Sequence, residues 1–151
     1  MGFLTGKTAI ITGAGRAVLS DGSCGSIGYG IATAFAKEGA NLVITGRNVK
    51  KLEEAKNELE AKYGIRVLPV QADVCAGTDN EATVQNVVKQ AVDAFGSIQV
   101  LINNAQASAS GVSLAEHTTE QFDLALYSGL YAAFYYICLL YTSPSPRDYA
   151  A

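Results

Sequence analysis

Four short apolar runs, each followed by a segment with helical spacing, constrain this chain of 151 residues more than any other feature. Lys7 to Thr12, Asn41 to Thr45, Arg66 to Gln71 and Ile98 to Ile102 are continuous apolar stretches closed by small or polar residues. Runs of that kind suit strands buried on both faces, the condition of a parallel sheet. Between them, Ile27 to Glu38 has helical periodicity with Gly39 as its stop, and Asn48 can cap a helix to Tyr63 that ends at Gly64. Within that second helix Glu58 precedes Lys62 by four residues, a favourable pair on a solvated face. Thr78 with Glu81 forms a capping-box pattern for a helix ending before Gly96, and Thr118 with Gln121 caps a last helix from Thr119. The order βαβαβαβα predicts right-handed crossovers and an α/β, doubly wound parallel sheet in one domain.

Composition removes several functions. A net charge of −3 with mixed signs leaves no basic footprint for nucleic acid. Cys24, Cys75 and Cys138 stand at unrelated spacings beside a single His, which supports neither a disulfide framework nor a metal site and fits a reducing cytoplasm. The N-terminus lacks the pattern of a signal peptide. Leu124 to Pro146 carries no charged residue and reaches the length of a membrane span before Arg147, but Tyr127, Tyr131, Tyr135, Tyr136, Ser128 and Gly129 favour a helix packed on protein over a membrane partner.

The chemistry concentrates at the ends of the runs. Thr12-Gly13-Ala14-Gly15-Arg16 follows the first strand, and Ser26-Ile27-Gly28 opens the helix after it. Glycines there let the backbone approach a pyrophosphate seated at the positive end of a helix. Gly46-Arg47 ends the second run, Asp73-Val74 the third and Asn103-Asn104-Ala105-Gln106 the fourth. A glycine turn alone is weak evidence, but this ordered set is specific.

In these motifs the chain resembles the N-terminal half of a short-chain dehydrogenase/reductase, over residues 3 to about 137. The glycine motif matches at Thr12, Gly13, Ala14, Gly15 and Gly28, the adenine-contacting acidic turn at Asp73-Val74, and the Asn-Asn-Ala-Gly motif at Asn103 to Gln106. The resemblance implies a Rossmann-like sheet of order 3-2-1-4, a small-molecule substrate and a homo-oligomeric intact parent. The cofactor-binding residues carried over are Gly13, Gly15, Arg16, Ser26, Ile27, Gly28, Arg47, Asp73, Val74, Asn103, Asn104 and Ala105. A carboxylate at the end of the second strand would suit NAD, but here Gly46 is followed by Arg47, whose guanidinium can hold a 2′-phosphate, with Arg16 assisting. NADP(H) is therefore expected ahead of NAD(H); a plain surface charge at the start of a helix is the alternative role for Arg47.

Departures accompany the match. Ala17 to Gly25 looks inserted in the phosphate loop, and Ser26 to Ala32 is also similar to the loop of the enoyl-reductase-like branch. Gln106 stands where the family has glycine, and Gly129 where it has a helix asparagine. Family members use a Ser and a Tyr-x-x-x-Lys pair, with the tyrosine exchanging a proton with the substrate oxygen. None of the eight tyrosines here has Lys four or seven residues later, since the last lysine is Lys89. No catalytic residue is assigned in this chain. His117 reads as a surface residue and Cys75 as a small packed thiol.

Cys138 to Asp148, CLLYTSPSPRD, resembles the in-frame translation of a sequencing-library adapter; a genuine Ser/Pro-rich tail is the alternative. The expected division is a truncated dinucleotide-binding domain at 1–137 and an artefactual or disordered tail at 138–151. Three functions remain open: an inactive fragment of an NADP(H)-dependent carbonyl/alcohol oxidoreductase, a self-sufficient NADP(H)-binding module without turnover, and a membrane-attached protein.

Overall fold

The computed structural model of the chain describes residues 2–75 and 77–142. Its sheet is built from β1 (Thr8–Thr12), β2 (Asn41–Gly46), β3 (Val67–Gln71) and β4 (Val100–Ile102). The four strands are parallel and lie in the order β3-β2-β1-β4, the order the family resemblance implies. β1 occupies the centre and all five of its residues are buried, as its unbroken apolar run requires.

Side-chain alternation along the strands sorts the core into two halves. Ala9, Ile11, Leu42 and Ile44 face α1 (Ile27–Lys37) and α2 (Val49–Tyr63), meeting Tyr29, Ala32, Leu52 and Leu59. Ile10, Val43 and Val70 point the other way, onto Val84, Val87 and Ala91 of α3 (Asn80–Phe95) and onto Tyr136. Each fully buried aliphatic side chain contributes about 1.5–3 kcal/mol relative to exposure, and the two-sided cover is what a parallel sheet needs.

Helix ends follow local chemistry where the cap survives packing. Asn48 accepts from the Lys51 N–H and Gly64 closes α2 in the left-handed region at φ 65°. Thr118 and Gln121 form the expected reciprocal box at the start of α4 (Thr119–Ala125). The box expected from Thr78 and Glu81 does not form: a 3₁₀ turn over Gly77–Asp79 draws Thr78 into the helical path, and α3 begins at Asn80 behind Asp79 without a side-chain cap. β4 is also shorter than the apolar run Ile98 to Ile102, although Gln99 still pairs with Thr8 through both its backbone N–H and its side-chain Oε1.

The last helix is one rod with a wide turn in it. α4 passes through a π turn over Leu126–Tyr131 into α5 (Ala132–Thr142). Over Thr119–Leu140 it is long and apolar enough to cross a membrane by length and composition, and only 17% of its most apolar stretch is buried. The expectation of a helix packed on protein holds for one face, where Ser128, Ala132 and Tyr136 are buried; Phe122, Leu130, Phe134 and Ile137 are exposed. α5 runs across the expected boundary at 137/138, and residues 143–151 of the suspected tail lie outside the described residues.

Candidate functional site

The C-terminal ends of β1, β2, β3 and β4 open into a common cleft lined by Gly13, Gly46, Arg47, Asp73, Val74, Asn104 and Ala105 among others. Open α/β sheets bind ligands at this place, where the strand order reverses beside β1. The sequence separates these residues by up to 92 positions, and the sheet register brings them together.

Thr12 organises the floor. Its Oγ1 accepts from the backbone N–H of Asn104 and of Ala105, both at 2.9 Å, and donates toward Ile102 O at 3.4 Å. Asn104 returns the connection by donating Nδ2–H to Thr12 O at 2.8 Å and to Gly13 O at 3.4 Å. The loops after β1 and β4 are thereby locked to each other. The sequence places Thr12 in the motif but gives no sign of this role, because its partners come from β4, far along the chain.

Two glycines are required sterically. Gly13 has φ 71°, a left-handed conformation that a side chain disfavours. Gly28, in the first turn of α1, lies so close to Gly13 O and Asn104 Nδ2 that an added Cβ would overlap both. Ser26 caps α1, its Oγ accepting from the Tyr29 N–H, while Ile27 projects 77% exposed beside it. The suspected insertion, Ala17 to Gly25, folds into a small hairpin: Val18 pairs with Cys24, Leu19 N–H donates to Ser23 O, and Asp21 accepts from the backbone and hydroxyl of Ser23. It thus leaves the cap at Ser26 intact.

On the β3 side, Asp73 is exposed and accepts from the Cys75 N–H, with Val74 buried beneath. Burial and the neighbouring Asp73 push the Cys75 thiol up, consistent with a packed thiol. Arg47 is exposed, lines the cleft, and joins no salt bridge among the described residues. Arg16 differs. Its Nε donates to Glu58 Oε2 at 2.5 Å, and the Tyr29 hydroxyl is buried beside the pair. Burial, with the neighbouring Glu58 carboxylate adding to it, raises the pKa of that hydroxyl to about 12.

A second cleft lies under the end of β4, lined by Thr12, Asn103, Gln106, Ser128, Gly129 and Tyr136 among others. Asn103 is exposed at its rim. Ser128, inside the π turn, accepts from the Ala107 N–H at 2.9 Å and donates toward Leu124 O at 2.8 Å, tying the loop after β4 to the last helix. The widened turn presents Gly129 to Gln106: a Cβ at 129 would sit 3.8 Å from the Gln106 Cγ. No group of His, Cys, Asp and Glu suited to a metal ion is found among the described residues.

The cradle therefore fits a dinucleotide: close backbone approach at Gly13 and Gly28, a capped helix start, and Arg47 beside Gly46, which joins no salt bridge among the described residues. A Rossmann-type doubly wound parallel sheet defines the class. The family model described as Enoyl-(Acyl carrier protein) reductase matches residues 22–141. The chain belongs to the short-chain dehydrogenase/reductase family. It is 57% identical over 137 residues to the 12alpha-hydroxysteroid dehydrogenase of a Clostridium species, covering 91% of this chain and 50% of that protein. It superimposes with a TM-score of 0.76 and 33% identity on the L-sorbose reductase of Gluconobacter frateurii complexed with NADPH and L-sorbose, covering 91% of this chain and 47% of that one. An NAD+-bound xylitol dehydrogenase gives a TM-score of 0.76 at 25% identity, covering 91% of this chain and 48% of the other. The chain thus spans about half the length of these relatives.

Proposed function

We propose that this chain is the cofactor-binding half of an NADP(H)-dependent oxidoreductase that interconverts a carbonyl and an alcohol. The observation that carries the choice of NADP(H) over NAD(H) is Arg47, exposed at the end of β2 with no carboxylate in place of Gly46. An acidic residue there would accept from ribose hydroxyls and repel an added phosphate, whereas a guanidinium attracts it. Gly13 and Gly28 would admit the pyrophosphate, Asp73 and Val74 would border the adenine, and Asn103 to Ala105 would border the nicotinamide ribose. The bound nicotinamide would supply or accept the hydride.

The identity to a hydroxysteroid dehydrogenase supports a steroid hydroxyl or ketone as the substrate of the intact parent. The proton exchanged with that oxygen needs an acid/base pair, and no tyrosine in these residues is followed by the lysine such a pair requires. The parent is accordingly proposed to carry that pair beyond residue 137, to act in the cytoplasm and to form a homo-oligomer. Self-sufficient NADP(H) binding without turnover is the second reading, favoured by the same missing pair.

Two assays test this. The 151-residue chain is expected to oxidise no NADPH with a panel of ketones. A chain extended by the genomic sequence that follows Ile137 in the source organism is expected to reduce NADP+ with a 12α-hydroxysteroid. Turnover by the short chain would refute the division of labour; a stop codon directly after Ile137 would favour the binding module.

A further inference from the structure

The groove between the glycine loop and the start of α2 is lined in part by Gly15, Arg16, Ser26, Arg47, Asn48 and Lys51. Its three cations are not equivalent. Arg16 is already committed, with Nε on Glu58 Oε2 at 2.5 Å and its backbone N–H on Lys51 O at 2.8 Å. The Arg16 bond holds the Glu58 carboxyl below the usual carboxylate range, so the partner stays ionised at neutral pH. A phosphate approaching Arg16 would meet a guanidinium whose charge is balanced.

Lys51 and Arg47 are exposed and join no salt bridge among the described residues; Glu53 and Glu54, in the adjacent turn, join none with them. Lys50 and Lys51 stand in the first turn of α2, which contains no acidic residue. A cation there is disfavoured by the helix dipole, a cost that an anion in the groove would reverse. Gly15 sits directly against Lys51: an added Cβ would come within 3.2 Å of the Lys51 Cβ. Loop and lysine therefore border the same groove, and Asn48 is occupied in capping through its Oδ1, which accepts from the Lys51 N–H at 3.0 Å.

We propose that Lys51 joins Arg47 as the cation that selects the 2′-phosphate, and that Arg16 is a positioning residue which, held by Glu58, fixes the glycine loop on α2. This rests on the NADP(H) reading above. Arg16 then serves NADP(H) and NAD(H) alike, while Lys51 serves only the phosphorylated cofactor.

Calorimetric titration of the full chain with NADP+ and with NAD+ distinguishes these roles. Lys51→Gln is expected to weaken NADP+ about tenfold, the low end for a hydrogen bond to a charged group, and to leave NAD+ unchanged, with Lys51→Arg restoring NADP+. Arg16→Gln and Glu58→Gln are expected to weaken both cofactors by the same factor and to lower the melting temperature of the cofactor-free chain. Selective loss of NADP+ in Arg16→Gln, or equal or no loss for the two cofactors in Lys51→Gln, would overturn the assignment. Should a variant fail to fold, Lys51→Met and Arg16→Lys read out the same two contrasts. A wild-type chain that binds NAD+ at least as tightly as NADP+, or neither, defeats the underlying NADP(H) reading instead.

Discussion

Gly28 and Arg47 act on the same cleft by different physics, and substitutions separate them. At Gly28 an added methyl must displace Gly13 O or the Asn104 carboxamide, both fixed by the Thr12 network. Overpacking of this kind costs about 1–3 kcal/mol. Gly28→Ala is expected to lower the chain's denaturation midpoint and to weaken NADP(H) and NAD(H) together. Arg47→Ala leaves packing untouched, because its side chain is exposed and unpaired in salt bridges among the described residues. It is expected to weaken NADP(H) by about 1.5–3 kcal/mol with NAD(H) nearly unchanged, measured by competitive titration. Equal loss for both cofactors would make Arg47 a support of the fold. These residues were legible in the sequence because each belongs to a local motif beside a strand end. The Arg16–Glu58 bond was not, since it joins residues 42 positions apart and depends on where α2 packs.

Among the elements, the last helix departs most from what its sequence announces. Its cap is local and was readable from Thr118 and Gln121, while the π turn contains Ser128, which ties it to the loop after β4. Ser128→Ala removes the acceptor of the Ala107 N–H in a site where Ser128 is 2% exposed. Leaving a buried donor unsatisfied costs about 1–3 kcal/mol. The unfolding free energy of this variant is expected to fall by that amount, read as a lower denaturant midpoint with an unchanged slope; an unchanged midpoint would mean that water replaces the hydroxyl. The strands were readable for the opposite reason, and their order followed from the family resemblance. Their burial on both faces writes an unbroken apolar run, and helical segments between such runs allow few arrangements. The absent cap at Thr78 marks the limit: a capping pattern specifies a helix start only when the preceding turn leaves that residue extended.

For the whole molecule, the two edges of the sheet are guarded unequally. β3 carries Pro69, which lacks a backbone N–H and interrupts any ladder on the outer side. β4, at the other edge, is Val100-Leu101-Ile102, half-buried, with no proline and no charge. Beside this lies the last helix with Phe122, Leu130, Phe134 and Ile137 exposed. An apolar, unblocked edge is a template for pairing with another chain, and a contiguous apolar helix face adds hydrophobic association to it. The expected behaviour is self-association: light scattering at micromolar concentration should report species larger than a 15.8 kDa monomer, growing with concentration. Replacing Leu130 and Phe134 by Glu should reduce it, because both side chains are exposed and their loss leaves the core intact. If the glutamate variant still associates, the β4 edge is the remaining contact, and a lysine at Val100 should then disperse it. A monodisperse wild-type monomer that unfolds cooperatively and binds NADP(H) at micromolar affinity would contradict this account and favour a self-sufficient binding module.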